Sequence, residues 1–334
     1  MGSGDGKVIG LVKMVDNGPA TERFNVVIVA EGYQQGEMAK FAGDAQRFVN
    51  RLFTHKPFDQ LWRALNIYRL DVTSTDSGAD DPVACGGNGK TAATYFDASF
   101  CNGGIRRLLL VNTGAVLKVV NAEIPQWHLV LVIVNSSIWG GGGGSIATTS
   151  TASGWEDVAI HEMGHSAFGL ADEYEYYQGC GIDKGHDRYS GAEPVAPNIT
   201  TKSDRTTIKW RGLILSSTLM PTTSNADCTL CDPQHSPALA GTVGAFEGAG
   251  YYHCGIHRPE FNCMMRNLAN FCAVCQQRIR ETLAPFALKR ALGGVDGQDI
   301  GRRPLTDAPE VRNVNLGKNP VMRIDCHIAE TLSK

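Results

Sequence analysis

No stretch of this chain is apolar enough, for long enough, to cross a bilayer. Its longest apolar run, Leu129 to Val134, is a fraction of the ~20 residues that a spanning helix needs. Charge of neither sign is in excess. Thirty-one Lys and Arg stand against 34 Asp and Glu, for a net charge of −3. That balance argues against a nucleic-acid or anionic-membrane partner. The opening residues, MGSGDGK, lack the basic-then-apolar pattern of a secretory leader. Cysteine, by contrast, is plentiful: ten among 334 residues. Reducing compartments seldom hold so many, so a secreted, cell-surface or periplasmic location is expected. The apolar share of 43% is that of a globular chain with a substantial core.

Taken in order, Phe24 to Ala30 is continuous and β-branched, which predicts a buried strand. Met38, Phe41, Ala42, Ala45, Phe48, Val49 and Leu52 recur at helical spacing. Asn66 to Thr73 alternates as a second strand. Strand, helix, strand opens an α/β sheet. Ser74 to Gly104 reads as a loop pinned by a Cys85–Cys101 disulfide. Ala115 to Ala122 predicts a helix, and His128 to Val134 another buried strand with His128 at its end. Asn135 to Ser153 reads as a loop. Its five consecutive glycines suit close approach of another backbone, such as an extended substrate peptide.

The next segment carries the chemistry. Gly154 to Tyr174 reads GWEDVAIHEMGHSAFGLADEY. On a helix, His161 and His165 share a face one turn apart, a spacing that lets two imidazoles hold one Zn²⁺. Glu162 lies ~100° round the helix, close enough to take a proton from water. Ser153 with Glu156 predicts a capping box. Ile160, Met163 and Ala167 lie off the histidine face as core. Gly169 fits a left-handed cap that turns the chain back toward Asp172.

Beyond Tyr177 the texture is irregular. Cys228/Cys231 and Cys272/Cys275 have CxxC spacing, which leaves a four-cysteine zinc open. Disulfides are favoured, with Cys180, Cys254 and Cys263 nearby, and at least one is expected within the Cys254 to Cys275 group. Asn198-Ile199-Thr200 is a glycosylation acceptor if a eukaryote secretes the chain. A closing helix is expected over Cys272 to Leu288.

The segment HEMGHSAFGLADEY resembles the IgA-peptidase family of bacterial zinc metallopeptidases. So do VVIVAEGYQQGEM, NIYRLDVTSTDSGAD, VIVNSSIWGGGGG, GYYHCGIHRPEFNCMMR and FCAVC, in this order. The resemblance implies a metzincin-like zinc peptidase of α/β class. Its features are a twisted mixed sheet, an active-site helix and an irregular C-terminal subdomain with a methionine turn and closing helix. The catalytic subdomain is expected at 20–176, the irregular subdomain at 177–290, and a tail or the start of a further domain, which the resemblance does not cover, at 291–334. Carried over by position, His161 and His165 are metal ligands, Glu162 the general base and Met265 the turn methionine, with Met264 the alternative. The third ligand is Asp172, with Glu247 as rival. Two departures from metzincin spacing stand. Gly169 and Asp172 follow the second histidine by four and seven residues rather than three and six, and Asn267 occupies the usual tyrosine position.

The expected activity is therefore a zinc-dependent endopeptidase acting on protein or peptide. Glu162 moves the water proton to the leaving amine, and Tyr251, Tyr252 or His257 are candidates to stabilise the oxyanion. Two alternatives remain: a zinc amidase on cell-wall or small peptides, and a non-catalytic binding module with a structural metal. The second has no use for Glu162.

Overall fold

The computed structural model describes residues 4–176, 183–230 and 237–287. β2 (Phe24–Glu31) and β4 (Leu129–Val134) are buried at every position. Their continuous apolar sequence has a simple cause: side chains alternate across the sheet, and both faces are covered. Val26, Ile28, Leu131 and Ile133 face a core that includes Phe41 and Phe48 of α1 (Met38–Leu52). Val27, Val29, Val130 and Val132 pack with Val116 and Val120 of α3 (Thr113–Glu123). A short α2 (Phe58–Leu61) separates α1 from β3 (Leu65–Ser74).

Two further strands, β5 (Gly141–Gly142) and β6 (Ala147–Ser150), and an opening strand β1 (Gly6–Val15) complete a mixed sheet. The order is β1-β3-β2-β4-β6-β5. The four inner strands are mutually parallel, and β1 and β5 run antiparallel at the two edges. The Cys85–Cys101 disulfide pins the long loop after β3 as expected.

Two readings are corrected. No strand is expected before Phe24, yet β1 pairs along β3. Its alternation is blurred because an edge strand buries little, and its register slips twice. Asn135 to Ser153 is not all loop, since β5 and β6 lie inside it. The glycine run does meet another backbone, but its own: Gly141 pairs with Thr149 on one side and bridges Leu108 on the other.

The remainder is irregular over 183–230, apart from short turns. It then forms a hairpin of β7 (Phe246–Ala249) and β8 (Tyr252–Arg258). A short α5 (Met264–Asn267) follows, and α6 (Ala273–Ala287) closes the described chain. Ile279 and Leu283 of α6 enter the same core as α4 (Trp155–Phe168). Arg278 donates to the Phe168 carbonyl at 3.0 Å, satisfying an orphan acceptor at the end of α4.

The cysteines depart from expectation. Cys254 is bonded to Cys228, and Cys263, Cys272 and Cys275 are free buried thiols, so no disulfide forms within that group. Cys180, Cys231 and the 291–334 tail lie outside the described residues. Asn198 does not suit glycosylation. It is fully buried, and its amide bonds Ala171 and Glu173. No described helix is long and apolar enough to cross a membrane.

Candidate metal centre and active site

Helix α4 starts from Gly154, which takes a left-handed φ of 76°, and no side chain caps it. The capping box is therefore not formed. Glu156 instead bonds Arg47 of α1 at 3.1 Å, and Asp157 bonds Arg51 at 2.7 and 2.9 Å. The two acids still favour the positive helix end. At the other end Gly169 adopts the expected left-handed cap, φ 64°. Its N–H donates to the His165 carbonyl, and the Leu170 N–H donates to the Gly164 carbonyl. This reversal sends the chain back beneath the histidines.

There Asp172 meets them. Its Oδ1 lies 3.0 Å from His161 Nε2 and 3.3 Å from His165 Nε2, and the two Nε2 atoms are 3.1 Å apart. Each Nδ1 faces a carbonyl: His161 that of Met264 at 2.9 Å, His165 that of Leu170 at 2.8 Å. A carbonyl only accepts, so each Nδ1 carries a proton and each neutral ring presents a lone pair at Nε2. Two lone pairs and a carboxylate thus converge on one point and call for a cation. Donors ~2.0–2.1 Å from a tetrahedral zinc stand about 3.3 Å apart, which fits all three separations.

The carboxylate also draws positive charge to this point, which a proton or a cation can supply. Burial works against charge on His161, but Asp172 overcomes it and lifts the imidazole to about 9. His165 is raised by the same carboxylate, again against burial. Burial pushes Asp172 up, yet the two imidazoles hold it well below the usual carboxylate range. Glu162 is raised by burial, with both histidines opposing. Raised pKa suits a group that must take up a proton and release it again.

The other sequence candidates separate. Tyr251, at φ 73° in the β7–β8 turn, donates its hydroxyl to Asp172 Oδ2, so it orients that carboxylate. Tyr252 packs on His186 and Tyr189, and His257 pairs within β8 with Thr200, so neither contacts the cluster. The carboxylate of Glu247 accepts N–H bonds from Asn225 and Gly255 at 2.7 and 2.8 Å and does not approach the histidines. Both methionines take part. The Met264 carbonyl holds His161, while Met265 Sδ would stand 2.5 Å from a Cβ added at Gly164.

Two residues escaped sequence reasoning. Arg107 Nη2 lies 3.4 Å from Tyr174 Oη, and the Tyr174 ring packs edge-on against Tyr251 at 5.3 Å. Arg107 also acts on the charge of Glu162. Tyr174 carried a signal as the last letter of the motif segment, whereas Arg107 carried none. The glycine run serves this site directly. A Cβ at Gly141 or Gly143 would stand 3.0 or 2.8 Å from the Glu162 carboxylate.

Sheet, buried helix and cluster define a class: a mixed α/β protein able to offer one metal two imidazoles and a carboxylate. The chain belongs to the IgA Peptidase M64 family, whose model matches residues 12–232 and 225–283. As a member of a peptidase family it is a hydrolase of peptide bonds, with protein or peptide as substrate. No curated protein matches the chain.

Proposed function

We propose that this protein is a zinc-dependent, metzincin-like endopeptidase of the secreted or cell-surface kind. The convergence of His161 Nε2, His165 Nε2 and Asp172 Oδ1 carries the reading, because two imidazoles held by backbone carbonyls and one carboxylate at this spacing suit a single metal ion. His161, His165 and Asp172 would hold the zinc, which when bound would supply Lewis acidity to water and to the scissile carbonyl. Glu162, on the same helix and facing the glycine run, takes the proton of the attacking water. It then delivers that proton to the leaving amine. Tyr251 fixes Asp172, and the Met264 and Leu170 carbonyls fix the two rings. Tyr174 and Arg107 lie close enough to Glu162 and Asp172 to feel their charge, and they are the groups proposed to face developing negative charge.

The test is Glu162→Gln, with zinc content and peptide turnover measured on one preparation. Turnover is read by mass spectrometry on a denatured-protein peptide library, with and without chelator. The variant should keep its zinc and lose orders of magnitude in rate, and chelator should silence the unsubstituted protein. Near-normal turnover in the variant refutes the role of Glu162, and chelator-resistant turnover refutes the metal.

A further inference from the structure

A second cluster lies behind the first. Glu173, Cys263, Cys272 and Cys275 are all buried, and one donor atom from each falls within 4.8 Å of the others. Cys263 and Cys275 Sγ are 3.8 Å apart, too far for a disulfide bond. The Oε1 of Glu173 lies 3.3 Å from Cys275 Sγ and 3.8 Å from Cys272 Sγ. Its Oε2 is buried and has no hydrogen-bond partner.

These separations have a common explanation. Sulfurs ~2.3 Å from a tetrahedral zinc stand about 3.8 Å apart, and a sulfur and a carboxylate oxygen stand about 3.5 Å apart. Backbone amides already point at two of the sulfurs. The Cys272 N–H donates to Cys263 Sγ at 3.3 Å, and the Cys275 N–H donates to Cys272 Sγ at 3.4 Å. Cys272 and Cys275 also sit at the start of α6, the positive end of a fifteen-residue helix. A disulfide between any two sulfurs would leave the third and a buried carboxylate without purpose. Three thiolates around one ion select a soft, tetrahedral metal.

We propose that Glu173, Cys263, Cys272 and Cys275 hold a second, structural zinc ion. It links the chain segment carrying Asp172 to the methionine turn and to the closing helix. Glu173 already bonds the turn through its backbone, N–H to the Met265 carbonyl at 2.7 Å. All four positions are filled by protein, so no coordination site is left for water, and the role is to hold rather than to react.

The experiment uses the full chain and does not depend on activity. Zinc per chain is measured after dialysis without chelator, and the cobalt-loaded protein is read for sulfur-to-cobalt charge transfer in the near ultraviolet. The expected result is two zinc ions per chain and a strong thiolate band. A His161→Ala/His165→Ala double variant should keep one zinc and the whole band, so the outcome is separate from the fate of the proposed active site. Cys275→Ser should lose the band. Should either variant fail to fold, the cobalt spectrum of the unsubstituted chain decides. Absence of the thiolate band in that spectrum, or a disulfide joining any two of the three cysteines in the native protein, overturns the proposal.

Discussion

Gly143 and Gly144 are neighbours in the exposed end of the glycine run, and the structure gives them opposite consequences. A Cβ on Gly143 would stand 2.8 Å from Glu162 Oε2, 2.9 Å from His165 Cβ and 3.0 Å from His165 Cδ2, whereas a Cβ on Gly144 meets nothing within 4 Å. Neither glycine has a positive φ, so alanine strains neither backbone. Comfortable contact begins near ~3.5 Å. The Glu162 carboxylate and His165 must therefore both give by roughly 0.5–0.7 Å, or the β5 loop must lift by as much. Misplacing a reacting group by ~1 Å costs about 10²-fold in rate. Gly143→Ala should accordingly lower kcat by about 10–100-fold, while Gly144→Ala stays within about twofold of the unsubstituted protein. The assay is turnover of a single peptide chosen from the library digest, with thermal melts of both variants alongside. Equal turnover in the two variants refutes the claim that the glycine run exists to clear the base. A collapse of Tm in Gly143→Ala alone would instead place its role in folding.

Gly164→Ala sets a methyl 2.5 Å from Sδ of the fully buried Met265, which must then repack; it should cost about 1–3 kcal/mol of stability, read as a lower denaturation midpoint. Tyr251→Phe removes the hydroxyl that orients Asp172 and should weaken zinc binding by about 10–100-fold in competition with a chromogenic chelator, whereas Asp172→Ala should exceed that range. Glu31, the buried last residue of β2, is pushed up to about 7 by desolvation, even though Phe96 and Ala98 donate N–H bonds to it. A folded pKa above the unfolded value of 4.5 means that the contribution of Glu31 to stability is greatest below about pH 4.5 and declines as pH rises to about 7. The loss amounts to about 3 kcal/mol. Glu31→Gln should flatten that stretch of the stability–pH curve, and an unchanged slope in urea melts would refute the assignment.

What could be read from sequence followed from how completely each element is enclosed. β2 and β4 are covered on both faces, so they were written as unbroken apolar runs. α1 is covered on one face, and Phe41, Ala45, Phe48, Val49 and Leu52 kept the helical period. β1 lies at an edge and buries too little to impose alternation. β5 is two glycines, which carry no side-chain pattern at all. The step from Gly169 to Asp172 was legible because a left-handed cap leaves a short return few choices. The capping box failed because Glu156 had a better partner, Arg47, on a helix more than a hundred residues earlier. Arg107 depends on contacts between distant segments, and no local spacing encodes it; of the second cluster, Cys272 and Cys275 showed as a CxxC pair, whereas Cys263 and Glu173 join them only through the fold.

The return after Gly169 is where the two halves of the molecule meet, and its register decides what each acid does. Successive side chains on extended backbone point to opposite sides. Asp172 accordingly faces the histidines of α4, while Glu173 faces Cys272 and Cys275, with its backbone held by Met265. A return longer or shorter by one residue would exchange the two acids, placing the longer carboxylate under the imidazoles. The extra residue relative to metzincin spacing lies before Gly169, and α4 absorbs it by running on to Phe168, whose carbonyl Arg278 then satisfies. The three-residue step that sets the register is untouched. That step, rather than the distance from the second histidine, fixes which acid faces the two imidazoles. The aspartate is also the shorter of the two, as the 3.0–3.3 Å contacts with two rings already held by backbone carbonyls require.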